Sequence, residues 1–392
     1  VDQVSADAVA VLRLAGVLAF APFSLMSVMF VLYKEGEDFD DLELRSMEAV
    51  NELVNYGLLE RRDQGLHIGH ALIHEYAAGQ LGLGKEELKR VATYYINWCW
   101  EQSKAGLEGY ARLDGERVHC LRLIGACLER ELWGEVKDLG WRMWEYLDRQ
   151  GYWTEQLAAV EMRLTAARKA GDRRDEAWCL NSLGYTCWRR GNHEKALAWH
   201  EQSLPIFRKL NDRKGEGTSL SNIADIYAQQ GKYDEALNQY EQSLIILREI
   251  GDREGEGATL NNIGTLYWAQ KKYEEALPYY EQSLPISQEV GDKIVEGITL
   301  NNIANIYYAQ DQYSKVIEYS EQSLAICREL GDRAGEALSC WNIGLTYEDM
   351  GELAQAEEHI RLAVEIAEDI GHPSLEKYRD GLEWVRAKRH GA

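Results

Sequence analysis

The 392-residue chain is acidic, with 43 Lys and Arg against 65 Asp and Glu and a formal net charge of −22, so its surface repels nucleic-acid phosphates and anionic lipid headgroups. A hydrophobic content of 45% with only five prolines favours folded helices over disorder. The seven cysteines are irregularly spaced and form no CxxC pair, which indicates neither a zinc site nor a disulfide framework and is typical of a cytoplasmic protein.

The first 80 residues do not repeat and predict three helices and a hairpin. The uncharged run from Leu14 to Tyr33 is about long enough to cross a bilayer, but Pro22 splits it, so two buried helices are the better interpretation. The predicted elements are helices at 6–18, 25–33 and 42–56, strands at 58–62 and 66–68, and a helix from His70. Such an order is that of a winged-helix domain, predicted here over residues 1–80.

A winged helix suggests DNA binding, but this segment holds 5 basic and 13 acidic residues, the wrong balance for a phosphate backbone. Segments 53–59 (LVNYGLL) and 67–77 (HIGHALIHEYA) instead resemble the winged-helix domain that closes the ATPase core of STAND signalling NTPases, the class of apoptosome and plant resistance proteins. The resemblance implies that His70, here in Gly-His-Ala rather than Met-His-Asp, contacts ADP in a parent protein. Because the chain begins at Val1 without an initiator Met, we expect it to be part of a longer protein.

The stretch from about Lys85 to Arg149 predicts helices and resembles the linker between the STAND core and its sensor arm, with a linker domain over 81–130. From 131 to 371 the chain predicts about six repeats, five of them regular, followed by a capping helix at 372–392. The repeats end on one dipeptide pattern at a constant step of 40 residues: Gly171-Asp172, Asn211-Asp212, Gly251-Asp252, Gly291-Asp292, Gly331-Asp332 and Gly371-His372.

Each repeat predicts two helices. In the third, helix A spans about Arg253 to Gln270 and helix B about Tyr273 to Val290, with Asp252 as N-cap and Gly291 as the left-handed residue that ends the pair. Gly264 is predicted to let the two helices cross closely. Three further glycines are predicted to admit the preceding helix, namely Gly215, Gly255 and Gly335.

These repeats resemble the tetratricopeptide family in its 40-residue form, as in kinesin light chain. The resemblance implies an all-α fold: a right-handed tetratricopeptide superhelix (α-solenoid), preceded by the small winged-helix domain. It also implies that helix A of each repeat lines a groove for a protein or peptide ligand. Matching to the family places these residues in the groove: Trp178, Asn181, Tyr185, Trp188, Arg189, Thr218, Ser221, Asp225, Gln229, Asn261, Asn262, Thr265, Trp268, Ile298, Asn301, Asn302, Asn305, Tyr308, Trp341, Leu345, Glu348 and Asp349.

The asparagines of helix A need an explanation, because Asn is unfavourable inside a helix. One interpretation is that Asn222, Asn262, Asn302 and Asn342 bond to the neighbouring repeat. The other is that the amides bind the backbone of an extended ligand whose side chains enter pockets beside the aromatic residues. For Asn181, Asn261 and Asn301 the second interpretation is favoured, since aromatic side chains lie one or two turns away.

Other motifs predict no chemistry. Residues 79–85 (GQLGLGK) match part of a phosphate-binding loop, but they follow a helix and Glu86 replaces the required Ser or Thr. His67, His70 and His74 lack a carboxylate or Cys at metal-site spacing. Since no nucleophile with a matching base is found, the sequence predicts a non-enzymatic sensor that has no metal or cofactor of its own. Its predicted partners are a protein ligand and the NTPase core of the same parent chain. Neither nucleic acid nor a membrane is predicted as a partner. A free-standing scaffold is the alternative, and a DNA-binding regulator is the least favoured.

Overall fold

The computed structural model describes residues 4–18, 23–34, 37–56, 58–62, 65–68, 83–370 and 374–391. These residues form 18 helices and one two-stranded hairpin, so the predicted, nearly all-helical solenoid is confirmed. Contacts divide the chain into two compact units, Val1–Ile206 and Phe207–Ala392. The elements are α1 (Ala6–Val17), α2 (Leu25–Leu32), α3 (Phe39–Asn55), β1 (Leu59–Arg62), β2 (Gly65–Ile68), α4 (Lys85–Lys104), α5 (Gly106–Glu129), α6 (Trp133–Arg149), α7 (Trp153–Ala170), α8 (Arg173–Arg189), α9 (His193–Leu210), α10 (Arg213–Gln229), α11 (Tyr233–Ile250), α12 (Arg253–Ala269), α13 (Tyr273–Val290), α14 (Lys293–Ala309), α15 (Tyr313–Leu330), α16 (Arg333–Asp349), α17 (Leu353–Ile370) and α18 (Leu375–His390).

The start of the first unit has the predicted three helices and hairpin. β1 and β2 are antiparallel with Leu59 opposite Ile68, and two backbone hydrogen bonds of 2.8 and 2.9 Å join Phe23 to Leu66 of the hairpin. α1 and α2 are mostly buried, as expected of the uncharged run. None of the described helices is long and apolar enough to span a membrane. The predicted break at Pro22, the helix from His70 and residues 79–82 of the phosphate-loop match lie outside the described residues.

A single hydrophobic core runs through most of the first unit, from Ala8 in α1 to Ala166 in α7. The helices of the predicted linker, α4 and α5, therefore share their apolar contacts with the segments on either side. A buried ion pair between Arg163 and Asp175 joins α7 to α8. The attraction between the two charges offsets the free-energy cost of removing each of them from water.

The described repeat boundaries combine a left-handed residue with an aspartate cap. The Asp252 carboxylate accepts the backbone N–H of Gly255 at 3.0 Å, and Gly291 ends α13 with a φ of 73°. The same combination occurs at the boundaries 171–172, 211–212, 251–252, 291–292 and 331–332, with Asn211 in place of glycine at a φ of 54°. The predicted cap and helix end of the third repeat are confirmed.

Glycines permit the helices of a repeat to approach closely, as predicted. A Cβ on Gly264 would lie 2.6 Å from the ring of Tyr280 on the following helix. A Cβ on Gly255 would lie 2.8 Å from Leu247 on the preceding helix, and Gly215 and Gly335 meet Phe207 and Cys327 in the same way. A Cβ at any of these positions would require the facing side chain or the helix itself to shift.

One edge of the repeats carries a recurring ion-pair network. Glu256, buried near the start of α12, accepts from Arg248 at 2.8 Å and from Arg253, which also reaches Glu289 at 2.9 Å. Burial raises the pKa of Glu256, but the two arginines outweigh it and hold that pKa below its usual range. Glu216 and Glu336 make the corresponding pairs, so the arginines that flank the start of these first helices are engaged at this edge.

Candidate functional site

The predicted groove residues lie on the first helices of the repeats, and the surface that they form within each unit is named the A-face of that unit. Each of α8, α10, α12, α14 and α16 contributes one stripe, with a residue every three or four positions. In α14 the stripe is Ile294, Ile298, Asn301, Asn305 and Tyr308. The part on α8 belongs to the first unit and the other four stripes to the second, and each part is described separately.

In the first unit the A-face is an aromatic cluster beside a carboxylate. The Tyr185 ring lies 5.9 Å from that of Trp144 and 5.8 Å from that of Trp188, between centroids. Its hydroxyl donates to Asp148 at 3.2 Å, and the Arg189 guanidinium lies 3.9 Å from the same carboxylate. Trp178, two stripe positions before Tyr185, is half-buried. These rings present a large and rigid contact surface.

Asn181 does not lie on an open surface, which corrects its predicted placement. It is buried, and its Oδ1 lies 2.8 Å from Nδ1 of His200 on α9. Burial lowers the pKa of His200 to about 4, so this ring is neutral at physiological pH. Asn181 therefore ties α8 to the second helix of its own repeat, a role that its sequence position did not reveal.

In the second unit the amides form a ladder between repeats. Asn302 Nδ2 donates to Asn261 Oδ1 at 3.1 Å, and Asn342 Nδ2 donates to Asn301 Oδ1 at 3.0 Å. The bonds of Asn262, Asn302 and Asn342 confirm that these amides join neighbouring repeats, Asn262 through Asp225 at 3.2 Å. Each bond satisfies polar groups that helix packing partly removes from water.

Asn261 is also corrected. It is buried, and its Oδ1 accepts from both Asn302 and Thr299, the latter at 3.1 Å. Its predicted exposure to a ligand is therefore wrong. Asn301 is half-buried, like Ser221 and Asn305, so Asn301 and Asn305 remain the amides of α14 that a ligand could reach.

Asp225 is a half-buried carboxyl held by polar neighbours. Burial raises the pKa of Asp225 to about 7, although the hydrogen bond from the Tyr240 hydroxyl acts in the opposite direction. The equivalent pair in the next repeat is neutral, since the Tyr280 hydroxyl donates to Thr265 at 3.2 Å. The repeats thus keep one geometry at this position but differ in charge.

The last stripe is partly covered by α18, which corrects the placement of Trp341. Trp341 is 5% exposed, and its ring centroid lies 4.7 Å from that of Tyr378. Glu348 accepts from Trp384 at 2.9 Å and from Lys388 at 3.1 Å. The predicted capping helix is present, but the sequence did not indicate that it packs against these two A-face residues.

Several large side chains remain exposed on the A-face of the second unit. Trp268 and Tyr308 occupy equivalent positions on α12 and α14, and the Tyr308 hydroxyl donates to Asp349 at 2.6 Å. Ile298 is exposed as predicted, together with Ile294 and Leu338, which the sequence analysis did not select. Leu338 stands 40 residues after Ile298, so the repeat period was the signal that could have identified it.

The described residues include no cluster of three or more His, Cys, Asp or Glu side chains that could hold a metal. His67 lies on β2 as expected, whereas His70 and His74 lie outside the described residues. What the A-face offers is aromatic, aliphatic and amide surface. Such a surface is suited to binding another polypeptide.

Helix pairs with a 40-residue period, capped alike and joined through their first helices, define a helical-repeat protein of the α-solenoid class. A family model described as tetratricopeptide repeat matches residues 150–209, 216–289 and 296–369. Since these matches cover more than half of the sequence, the chain belongs to the tetratricopeptide repeat family. The sequence matches none of the curated proteins.

The fold is shared with many solved structures, among them these three. A signal transduction ATPase with numerous domains (STAND) protein with a tetratricopeptide repeat sensor, from Pyrococcus horikoshii, is 19% identical with a TM-score of 0.57, over 99% of this chain and 61% of that one. Aspartyl phosphate phosphatase F from Bacillus subtilis is 15% identical with a TM-score of 0.51, over 98% and 95%. A Rap protein complexed with competence and sporulation factor is 12% identical with a TM-score of 0.51, over 78% and 99%. At these identities the likeness concerns the fold, and the chain spans 61% of the length of the archaeal protein.

Proposed function

We propose that the chain is the protein-binding sensor region of a STAND-type signalling NTPase. The observation that carries the proposal is the extent of the match to the archaeal STAND protein, which covers 99% of this chain and so includes its non-repeating start as well as its repeats. The three helices and hairpin before α4 have the order of the winged-helix domain that adjoins the ATPase core in that class. Tetratricopeptide repeats alone would account only for the second half of this arrangement.

The ligand is a segment of another protein, and it binds on the A-face. Trp268 and Tyr308 supply exposed aromatic surface, which makes large contact area at low entropic cost. Asn301 and Asn305, on the same stripe of α14 as Tyr308, are half-buried and supply amides to a ligand backbone. Neither a nucleophile nor a metal takes part, because the role of the surface is recognition.

Binding acts on the parent protein by favouring one arrangement of the repeats and the winged helix over another. The NTPase core of the parent chain, which binds ADP or ATP, responds to that shift, and His70 is the residue positioned by its motif to contact the nucleotide. The ligand affects nucleotide turnover only to the extent that it binds one of the two arrangements more tightly.

The test compares an A-face double variant, Trp268→Ala with Tyr308→Ala, with a control double variant, Ile245→Ala with Ile250→Ala, whose side chains are exposed on α11 outside the A-face. Proteins from the native host are captured on each form. We expect one protein to be retained by the wild type and the control but lost from the A-face variant, and to change ATP turnover when added to the parent protein. Equal retention on both variants contradicts the proposed surface, and unchanged turnover favours a free-standing scaffold.

A further inference from the structure

The A-face of the second unit is deficient in positive charge. Its stripes on α10, α12, α14 and α16 contain, among the described residues, a single cation, Lys214, whose Nζ lies 3.0 Å from Asp252 at the edge. The arginines of these repeats lie along that edge instead, where Glu216, Glu256 and Glu336 bind them. These arginine side chains are therefore paired away from the A-face.

Two carboxylates on this face lack a cationic partner. Glu254 is exposed on α12, and Asp349 borders the stripe on α16, where it accepts the Tyr308 hydroxyl. In the described part of the chain no Lys or Arg forms an ion pair with either of them. A binding partner that brings positive charge would meet them without losing an existing salt bridge.

Aliphatic side chains lie on the same stripes. Ile294 and Ile298 are one turn apart on α14 and are 43% and 48% exposed, and Leu338 on α16 is 40% exposed. Leu338 is the equivalent of Ile298 in the next repeat, and the bond from Asn342 to Asn301 joins the two helices one turn further along. Together the three side chains form an apolar patch across two repeats.

The chain itself shows how such a face accepts a basic segment. α18 carries Lys388 and Trp384, and both bind the A-face carboxylate of Glu348 while Tyr378 stacks on Trp341. A cation and an apolar ring from one segment are thus matched by a carboxylate and an apolar ring on α16. The unpaired carboxylates and the patch of α12 to α16 offer the same combination.

We infer that the segment captured by the A-face is basic and aliphatic, a stretch of a partner protein with a net positive charge and at least two Leu, Ile, Val or Met side chains. The inference rests on the proposed function and specifies the chemistry of its ligand. The aliphatic side chains pack on Ile294, Ile298 and Leu338, and Lys or Arg side chains pair with Glu254 and Asp349. A second copy of this chain does not fit, because its net charge of −22 would oppose the same carboxylates.

The test uses a displayed library of random ten-residue peptides. Peptides are selected on the full chain and then counter-selected on the triple variant Ile294→Ser, Ile298→Ser, Leu338→Ser, which has the same net charge. Peptides that bind the wild type alone are synthesised and titrated by fluorescence polarisation. We expect them to be positively charged and rich in aliphatic residues. Their affinity should fall about fivefold in the double variant Glu254→Gln, Asp349→Asn and stay unchanged in Glu235→Gln, an exposed glutamate of α11 outside the A-face.

Neutral or acidic peptides that depend on the patch would overturn this inference and leave the proposed surface intact. Peptides that bind the wild type and the triple variant equally would overturn the proposed surface, and the inference with it. Recovery no greater than from the display carrier alone would likewise count against the inference. Circular dichroism of each variant verifies that its helices are retained.

Discussion

At the scale of single residues, the contact between Gly264 and Tyr280 shows how a missing side chain sets the spacing of a helix pair. We expect Gly264→Ala to destabilise the protein by about 2 kcal/mol, because the new Cβ would lie 2.6 Å from a buried ring and this overpacking exceeds the gain in helix propensity. Urea unfolding followed by circular dichroism measures the change. The control is Gly115→Ala in α5, where a Cβ meets nothing within 4 Å, and it should be neutral or stabilising by up to about 1 kcal/mol. A neutral Gly264→Ala would contradict the packing described.

His200 gives the first unit a dependence on pH. Burial lowers its pKa to about 4, below the value near 6.5 in the unfolded chain. The contribution of the neutral ring to the free energy of unfolding is therefore present in full above pH 6.5 and is lost as the pH falls toward 4. Between pH 7 and pH 5 the wild type should therefore lose on the order of 1–2 kcal/mol of its free energy of unfolding through His200. We expect this loss to be absent in His200→Tyr, which introduces the residue found at the equivalent positions 240 and 280. Parallel stability curves for variant and wild type would contradict the assignment.

At the scale of elements, the edge network fixes the start of each first helix. We expect Glu256→Gln to destabilise the protein by about 1–2 kcal/mol at pH 7, because Arg248 and Arg253 lose a charged acceptor. The pKa of Glu256 is lowered in the folded state, so the difference from the wild type is present above about pH 4.3 and shrinks as the pH falls through that lowered value. Thermal melts at pH 7 and pH 3 test it, with Glu235→Gln as an exposed control, and a difference that persists at pH 3 would contradict it.

The packing of α18 on α16 is a second element-scale contact. We expect Tyr378→Ala to lower the free energy of unfolding by about 3 kcal/mol, because Tyr378 is buried against Trp341. The tryptophan emission should also move to longer wavelength as Trp341 becomes exposed. Trp384→Ala removes a largely exposed ring and should cost less than 1 kcal/mol. Because the chain has 12 tryptophans, the same substitution is also made in a Trp341→Phe background, and an equal emission change in both backgrounds would mean that α18 does not shield Trp341 in solution.

At the scale of the whole molecule, the sequence was most informative where it repeats. A step of 40 residues located the helix pairs, their aspartate caps and their closing glycines, since each of these depends on local chain geometry. The exposure of individual side chains depends instead on what packs over them. Asn181, Asn261 and Trp341 occupy positions that match the family groove, yet His200, the amide ladder and Tyr378 cover them. No pattern within a single repeat contains that information.

The central claim is that the A-face of the second unit receives the ligand. It is tested most directly by photo-crosslinking, with benzoylphenylalanine placed in turn at Trp268, Ile298 and Ile245 of the parent protein in the cells that produce it. All three side chains are exposed, but only the first two lie on the A-face. We expect one common crosslinked partner from positions 268 and 298 and none from position 245. A partner crosslinked from position 245 and not from the other two would contradict it.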